Sequence, residues 1–207
     1  MAIEIELKAH VKGNQQNIEA LKRLLSEKAE YLCAFEKEDS YYFPSSPSDI
    51  PRSGIRLRGE SKTLSDGTVR KTAYVTYKTK EVRDGIEVNN EKEFEVCSSQ
   101  YSPVIVFDEF LKMAGLGPDF SKRKKGWAFS KDGINAELLE VEKLGWFLEM
   151  EIVLDDVERD NTIETTIEEK KKQLIEFLSD LGIEKDAIES RYYSEMLKEL
   201  TRSPSGS

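Results

Sequence analysis

The feature that leaves this chain least freedom is an alternation in which every second residue of its strand-like segments is charged. Ile3-Glu4-Ile5-Glu6-Leu7-Lys8 is strictly period two, which places Ile3, Ile5 and Leu7 on one face of a strand and Glu4, Glu6 and Lys8 on the other. The pattern returns in Ile55-Arg56-Leu57-Arg58, in 72–78 where Lys78 shares a face with Thr76 and Tyr74, and in Glu91-Lys92-Glu93-Phe94-Glu95-Val96 with three carboxylates on one side. It returns again in the basic run 122–125, and in 146–154, where Glu149 and Glu151 alternate with Leu148, Met150 and Ile152. One such strand would simply turn its charges to water. Six of them, with carboxylates on some faces and cations on others, predict a sheet that curls on itself, charges inside and apolar faces outward beneath helices.

The rest of the chain supplies those helices. Asn14 reads as an N-cap ahead of Ile18, Leu21, Leu24 and Leu25, whose spacing predicts a helix to about Glu30. Further helices are predicted at 102–114, stopped by Gly115, at 162–181, stopped by Gly182, and from Asp186 to about Leu200. A strand is predicted at 38–43, a loop around Pro44, Pro47 and Pro51, and turns at 64–68, Asp84-Gly85 and Asp132-Gly133. The expected class is α+β: about eight antiparallel strands with inserted helices, one domain over 1–200, and a disordered polar tail at 201–207.

Composition removes several functions. Thirty-one basic residues against 40 acidic ones give a net charge of −9, so the chain lacks the positive excess of a nucleic-acid coat or a membrane-surface protein. The charge is unevenly placed: residues 1–130 stand near balance at +1 and 131–207 at −10. Cys33 and Cys97 are too few for a disulfide framework, there is no run of 18 apolar residues, and no leader opens the chain. The expectation is a cytoplasmic protein that binds neither nucleic acid nor membrane. The oligomeric state, a homodimer included, is open. His10, the single histidine, is expected at the surface, which leaves any metal to carboxylates and so to a hard ion. No P-loop motif occurs. Burying so many unpaired charges would cost too much without a ligand or water to pair them, and a polyphosphate carrying a divalent metal satisfies both signs, phosphate oxygens taking the cations and carboxylates the metal.

Two motifs carry a resemblance. Glu4-Ile5-Glu6-Leu7-Lys8 resembles the ExExK signature of CYTH-domain proteins, the triphosphate tunnel metalloenzymes, and Leu144-Gly145-x-Phe147-x-Glu149-x-Glu151 resembles their closing strand. Asp39-x-Tyr41, Arg56-x-Arg58, Thr76-Tyr77-Lys78 and the basic run follow in the family's order, so the resemblance spans about 2–200. It implies an eight-stranded antiparallel tunnel that binds a small-molecule triphosphate with magnesium or manganese. Glu4, Glu6, Glu149 and Glu151 would hold the metal. Lys8, Arg56, Arg58, Lys78, Lys122, Arg123 and Lys124 would hold phosphates, with parity favouring Lys122 and Lys124 in the last group. Catalysis would rest on Glu4, Glu6, Lys8 and Glu149, with Glu93 and Glu137 as further candidates. Two positions depart from the family's pattern: Leu139 stands at a usual aspartate, where Glu137 could substitute, and Glu91 stands where many members have arginine. The terminal Tyr193-Ser194-x-x-Leu197 looks most like the class IV adenylyl cyclase branch, which makes cyclic AMP and pyrophosphate from ATP. The alternatives are a triphosphatase acting on thiamine triphosphate, tripolyphosphate or a nucleotide, a non-catalytic polyphosphate or nucleotide binder, and a purely structural sheet.

Overall fold

The computed structural model describes residues 2–44, 54–79, 81–97, 102–154 and 163–202. In chain order these form β1 (Ala2–His10), α1 (Gln15–Lys28), β2 (Glu30–Pro44), β3 (Ile55–Leu64), β4 (Val69–Thr79), the two-residue β5 (Val82–Arg83) and β6 (Ile86–Glu95). There follow α2 (Pro103–Met113), β7 (Leu116–Lys131), β8 (Ile134–Val141), β9 (Gly145–Leu154), α3 (Ile163–Asp180) and α4 (Tyr193–Arg202). Hydrogen-bonded neighbours run β1-β9-β8-β7-β2-β3-β4-β6, and β6 returns to β1, closing an eight-stranded barrel in which every pairing is antiparallel. β5 pairs only with β6, outside the ring.

Closure removes the sheet edges, and it turns alternate residues to opposite environments. Ile5, Leu7 and Ala9 of β1 are fully buried on the outside of the barrel, where they join Leu138, Leu148 and Met150 under α1 and α3. α1 presents Ile18, Leu21 and Leu25 to this core, and Asn14 caps it through a capping box with Asn17. α3 presents Ile167, Leu174, Phe177 and Leu178. A smaller cluster of Tyr42, Leu57, Val75 and Leu111 lies beneath α2. The main core therefore sits between barrel and helices.

The barrel interior is polar over most of its length and apolar at one end. Phe147, Leu139, Val141 and Phe35 share strand parity with Glu149, Glu137 and Lys37, so they face inward, where Cys33, Ala128, Tyr193 and Met196 complete a plug. β7 and β8 approach closely beside it. A Cβ on Gly126 would stand 2.2 Å from the Leu138 carbonyl oxygen, and glycine is the residue that permits the contact.

Most predicted elements are present, with differences at their limits. β2 starts eight residues before the predicted 38–43, because its first half pairs with β7 across Tyr31–Phe129 and Ala34–Trp127. The final helix starts at Tyr193 rather than Asp186. A 3-10 turn at Lys185–Ala187 ends where Ile188 bridges Ala9, and the Glu189 N–H donates to the Lys8 carbonyl at 2.8 Å. Tertiary pairing to β1 thus holds 188–189 extended against a helical pattern. His10 remains half-exposed but is engaged, its Nε2 lying 2.9 Å from the Glu189 carboxylate. Thr201 and Arg202, expected in the tail, close α4; the rest of that tail, the loop around Pro47 and Pro51, and Thr162 lie outside the described residues.

Leu138 is fully buried in the outer core. Leu138→Ala is expected to cost about 2–5 kcal/mol of unfolding free energy by urea titration, and a loss below about 1 kcal/mol would show that this core does not hold the barrel.

Candidate active site

Strand parity decides what enters the barrel. Glu4, Glu6 and Lys8 come from β1, Arg56 and Arg58 from β3, Lys78 from β4, Lys122 and Lys124 from β7, and Glu149 and Glu151 from β9, and all line its interior. Glu137 also faces inward, held by the Lys37 ammonium. Glu93 stands at the rim, accepting from Thr76 at 2.6 Å and Arg56 at 2.9 Å. Arg123 does not belong to the set: its neighbours Lys122 and Lys124 point inward, so it points out, where it is 65% exposed and paired with Glu38 at 3.1 Å.

The structure adds residues to which the sequence reading gave no role, Asp39, Thr76 and Glu91 having been noted there only as parts of motifs or strand faces. Lys37 and Asp39 line the barrel from β2, Glu60 from β3, Thr76 from β4, and Glu87, Asn89 and Glu91 from β6. Their alternation was readable, since Lys37, Asp39 and Tyr41 share one parity and Glu87, Asn89 and Glu91 extend that of Glu93. Tyr193 had no such signal. It arrives from α4, and its ring lies 4.9 Å from both Lys8 Nζ and Lys122 Nζ and 4.8 Å from Lys124 Nζ.

Each interior cation is matched to a carboxylate. Arg58 holds Asp39 with two bonds of 2.6 and 2.9 Å. Lys124 donates to both oxygens of Glu149 at 2.8 and 2.7 Å, and Lys8 lies 3.3 Å from Glu87. Lys78 reaches across β6 to Glu4, to Glu6 at 3.2 Å and to Glu91 at 3.5 Å. Such pairs offset the cost of burying their charges only while both partners remain.

The resulting fields move the protonation equilibria far from their ordinary values. Burial would raise the Asp39 carboxyl, but the Arg58 guanidinium holds it well below the usual range. Burial likewise opposes the Lys78 ammonium, yet Glu6 and Glu4 hold it well above the ordinary lysine value. Lys122 lacks so close an anion, its nearest being Asp39 at 3.6 Å, and burial together with Lys124 pushes it down to about 7. Burial and the neighbouring Glu4 carboxylate push Glu91 up to about 7, and the same two causes raise Glu151 well above its ordinary value.

A hard divalent cation suits this corner. All its donors are carboxylate oxygens, burial and the Glu4 charge already raise two of them, and the buried Oε2 atom of Glu91 accepts no hydrogen bond. Among the described residues no three acidic side chains, as they stand, form a metal-ligating group. The ammonium groups of Lys78 and Lys124 lie between them. Inside the barrel a cavity of about 450 Å³ is bordered by Lys8, Arg56, Lys78, Lys122, Lys124 and the aromatic rings of Tyr41, Phe120 and Tyr193.

Comparison with known proteins agrees with this architecture. A model of the CYTH domain matches residues 2–193. Among solved structures, the PH1819 protein of Pyrococcus horikoshii OT3 is 26% identical, with a TM-score of 0.70 over 95% of this chain and 99% of its own. An adenylate cyclase candidate of Vibrio parahaemolyticus is 17% identical, with a TM-score of 0.70 over 95% and 98%. HpAC1 of Hippeastrum, an adenylyl cyclase candidate with a dominant triphosphatase activity, is 16% identical, with a TM-score of 0.59 over 97% and 96%. No curated protein matches the sequence significantly.

The raised Glu91 carboxyl makes a signed prediction. Folded Glu91 binds its proton more tightly than unfolded, so the stability it contributes is full below about 4.5 and lost as pH rises to about 7. In metal-free protein, Glu91→Gln is expected to raise stability at pH 8 by as much as about 3 kcal/mol and to change little at pH 4. Urea titrations at both pH values measure this, and equal effects at the two would remove the assignment.

Proposed function

The chain belongs to the CYTH domain family, and from that premise we propose that its tunnel is the active site of a metal-dependent enzyme acting on a triphosphate. The observation that carries the proposal is the make-up of the barrel interior: Lys8, Arg56, Lys78, Lys122 and Lys124 border one cavity, and the carboxylates of Glu4, Glu6, Glu149 and Glu151 are interleaved with them. A stability-driven interior would be apolar, as the plug of Leu139 and Phe147 is. A linear polyanion with a divalent cation is the ligand that gives both signs a partner.

In this reading Glu4, Glu6, Glu149 and Glu151 hold magnesium or manganese, which when bound neutralises phosphate charge and polarises the bond to be broken. Lys8, Arg56, Lys78, Lys122 and Lys124 bind and straighten the triphosphate. Arg58, fixed by its two bonds to Asp39, orients the cationic wall rather than reaching freely into the cavity. Leu139 does not stand in for a ligand. It belongs to the plug, and Glu137, one step along the same face and held by Lys37, is the acidic group this strand offers. Catalysis then rests on positioning and charge neutralisation, as phosphoryl chemistry requires.

The attacking group distinguishes two reactions. In the adenylyl cyclase reading, to which the sequence motifs point, the ribose 3′-hydroxyl of ATP attacks the α-phosphorus and pyrophosphate leaves. In the hydrolytic reading, the activity described as dominant for HpAC1, water attacks and orthophosphate is released. Incubation with ATP, tripolyphosphate or thiamine triphosphate and either metal separates them by product: cyclic AMP with pyrophosphate, or orthophosphate. Thermal stabilisation by tripolyphosphate without turnover would identify a binder. No turnover and no stabilisation with any of the three would end the triphosphate reading.

Lys122 gives this site a pH signature. Its value of about 7 means that above pH 7 anion binding must first return its proton. Between pH 7 and 9 the wild type should lose tripolyphosphate affinity relative to Lys122→Arg by up to about tenfold per pH unit. Parallel calorimetric profiles for the two proteins would contradict the assignment.

A further inference from the structure

We propose that Lys78 is an exchangeable occupant of the metal position: its ammonium neutralises the metal carboxylates in the ligand-free tunnel, and the triphosphate receives that ammonium when a divalent cation displaces it. The inference rests on the reading of the tunnel as a metal and triphosphate site. Lys78 Nζ touches Glu4, and lies 3.2 Å from Glu6 and 3.5 Å from Glu91, so one cation serves three carboxylates from two strands. Its side chain is only 13% exposed. A lysine suits the role because its ammonium is a compact point charge on a flexible stem, able to leave one partner for another.

The ammonium neutralises this corner without satisfying it. Glu91 Oε2 lies 3.5 Å from Lys78 and accepts no hydrogen bond, and one ammonium cannot donate well to three carboxylates at once, so oxygen donors remain for an ion that can coordinate several together. The neighbouring strand repeats the arrangement, with Lys124 on both oxygens of Glu149 of β9, which pairs with β1. Carboxylates that would hold the metal are thus held by cations that would hold phosphate. An anion arriving alone must strip Lys78 from three carboxylates and leave them bare. A metal arriving alone must displace an ammonium into a cavity whose other carboxylates, Glu87 and Glu149, already hold Lys8 and Lys124. Arriving together, they give every charge a new partner, so metal and polyphosphate must each raise the other's affinity by the same factor. Glu91, at a position not assigned from the motifs, enters as the third anchor.

Manganese binding to the full chain, read by electron paramagnetic resonance with and without imidotriphosphate as a non-hydrolysed probe, tests this. The wild type should bind manganese at least about tenfold tighter with the probe. Lys78→Met should bind manganese alone at least about tenfold tighter than wild type and show a smaller effect of the probe. Lys78→Arg, whose guanidinium grips carboxylates in a fork, should bind manganese alone more weakly than wild type and decides the matter if the methionine variant does not fold. Unchanged manganese affinity in Lys78→Met, or equal or tighter binding in Lys78→Arg, overturns the exchange even if triphosphates are turned over. Failure of the probe to bind any of the three proteins sinks the triphosphate reading, and the coupling with it.

Discussion

Everything in this molecule depends on one constraint: charges enclosed by a closed sheet must neutralise one another whenever no ligand does so. An eight-stranded barrel has an interior wide enough for side chains or for one small ligand. Here that interior holds Asp39 against Arg58, Glu149 against Lys124, Glu87 against Lys8, and three carboxylates against Lys78. Desolvation sets the cost of these charges, and pairing sets how much of it is recovered. Where pairing is incomplete the protein shifts protonation instead. Lys122, pushed down to about 7, Glu91, pushed up to about 7, and Glu151, raised well above its ordinary value, are places where a cation or a carboxylate has been enclosed without a full partner.

Stability must then come from elsewhere, and the fold provides it on the outside. The apolar parity of β1, β8 and β9 is buried under α1 and α3, and that of β3 and β4 under α2. The barrel is inverted relative to one with an apolar centre, and the helices act as the second layer that any half-apolar sheet requires. The apolar plug of Leu139, Val141, Phe147, Tyr193 and Met196 limits the polar region to one part of the interior. It also places the Tyr193 ring against three ammonium groups. A site of fixed depth with an aromatic floor follows from packing rather than from any ligand.

This division explains an apparent contradiction in the charge. A chain of net −9 should repel a polyanion. The tunnel belongs largely to the balanced residues 1–130, while much of the acidity beyond them lies on exposed faces such as Glu168, Glu169 and Glu176 of α3. Net charge describes the surface that water meets, and the enclosed interior is governed by its own pairs.

The sequence alone determined the barrel and most of its lining, because a strand has period two and any residue two positions from a lining residue must also line. Glu4, Glu6, Lys8, Arg56, Lys78, Glu149 and Glu151 were legible for that reason, as was the shared face of Glu91 and Glu93, and Lys37 and Glu87 could have been read by extending the same count from Asp39 and Glu91. Parity also removes Arg123, whose chemistry suited phosphate but whose direction does not. Tertiary structure alone decided which charges meet. Lys78 and Glu4 are 74 residues apart in sequence and come together only because β6 pairs with both β4 and β1. Tyr193 enters the site from a helix whose start is set by pairing of 188–189 to β1 rather than by its own pattern. Local alternation is fixed by backbone geometry within a strand, whereas barrel closure and shear set the register across strands, and no segment carries that information by itself.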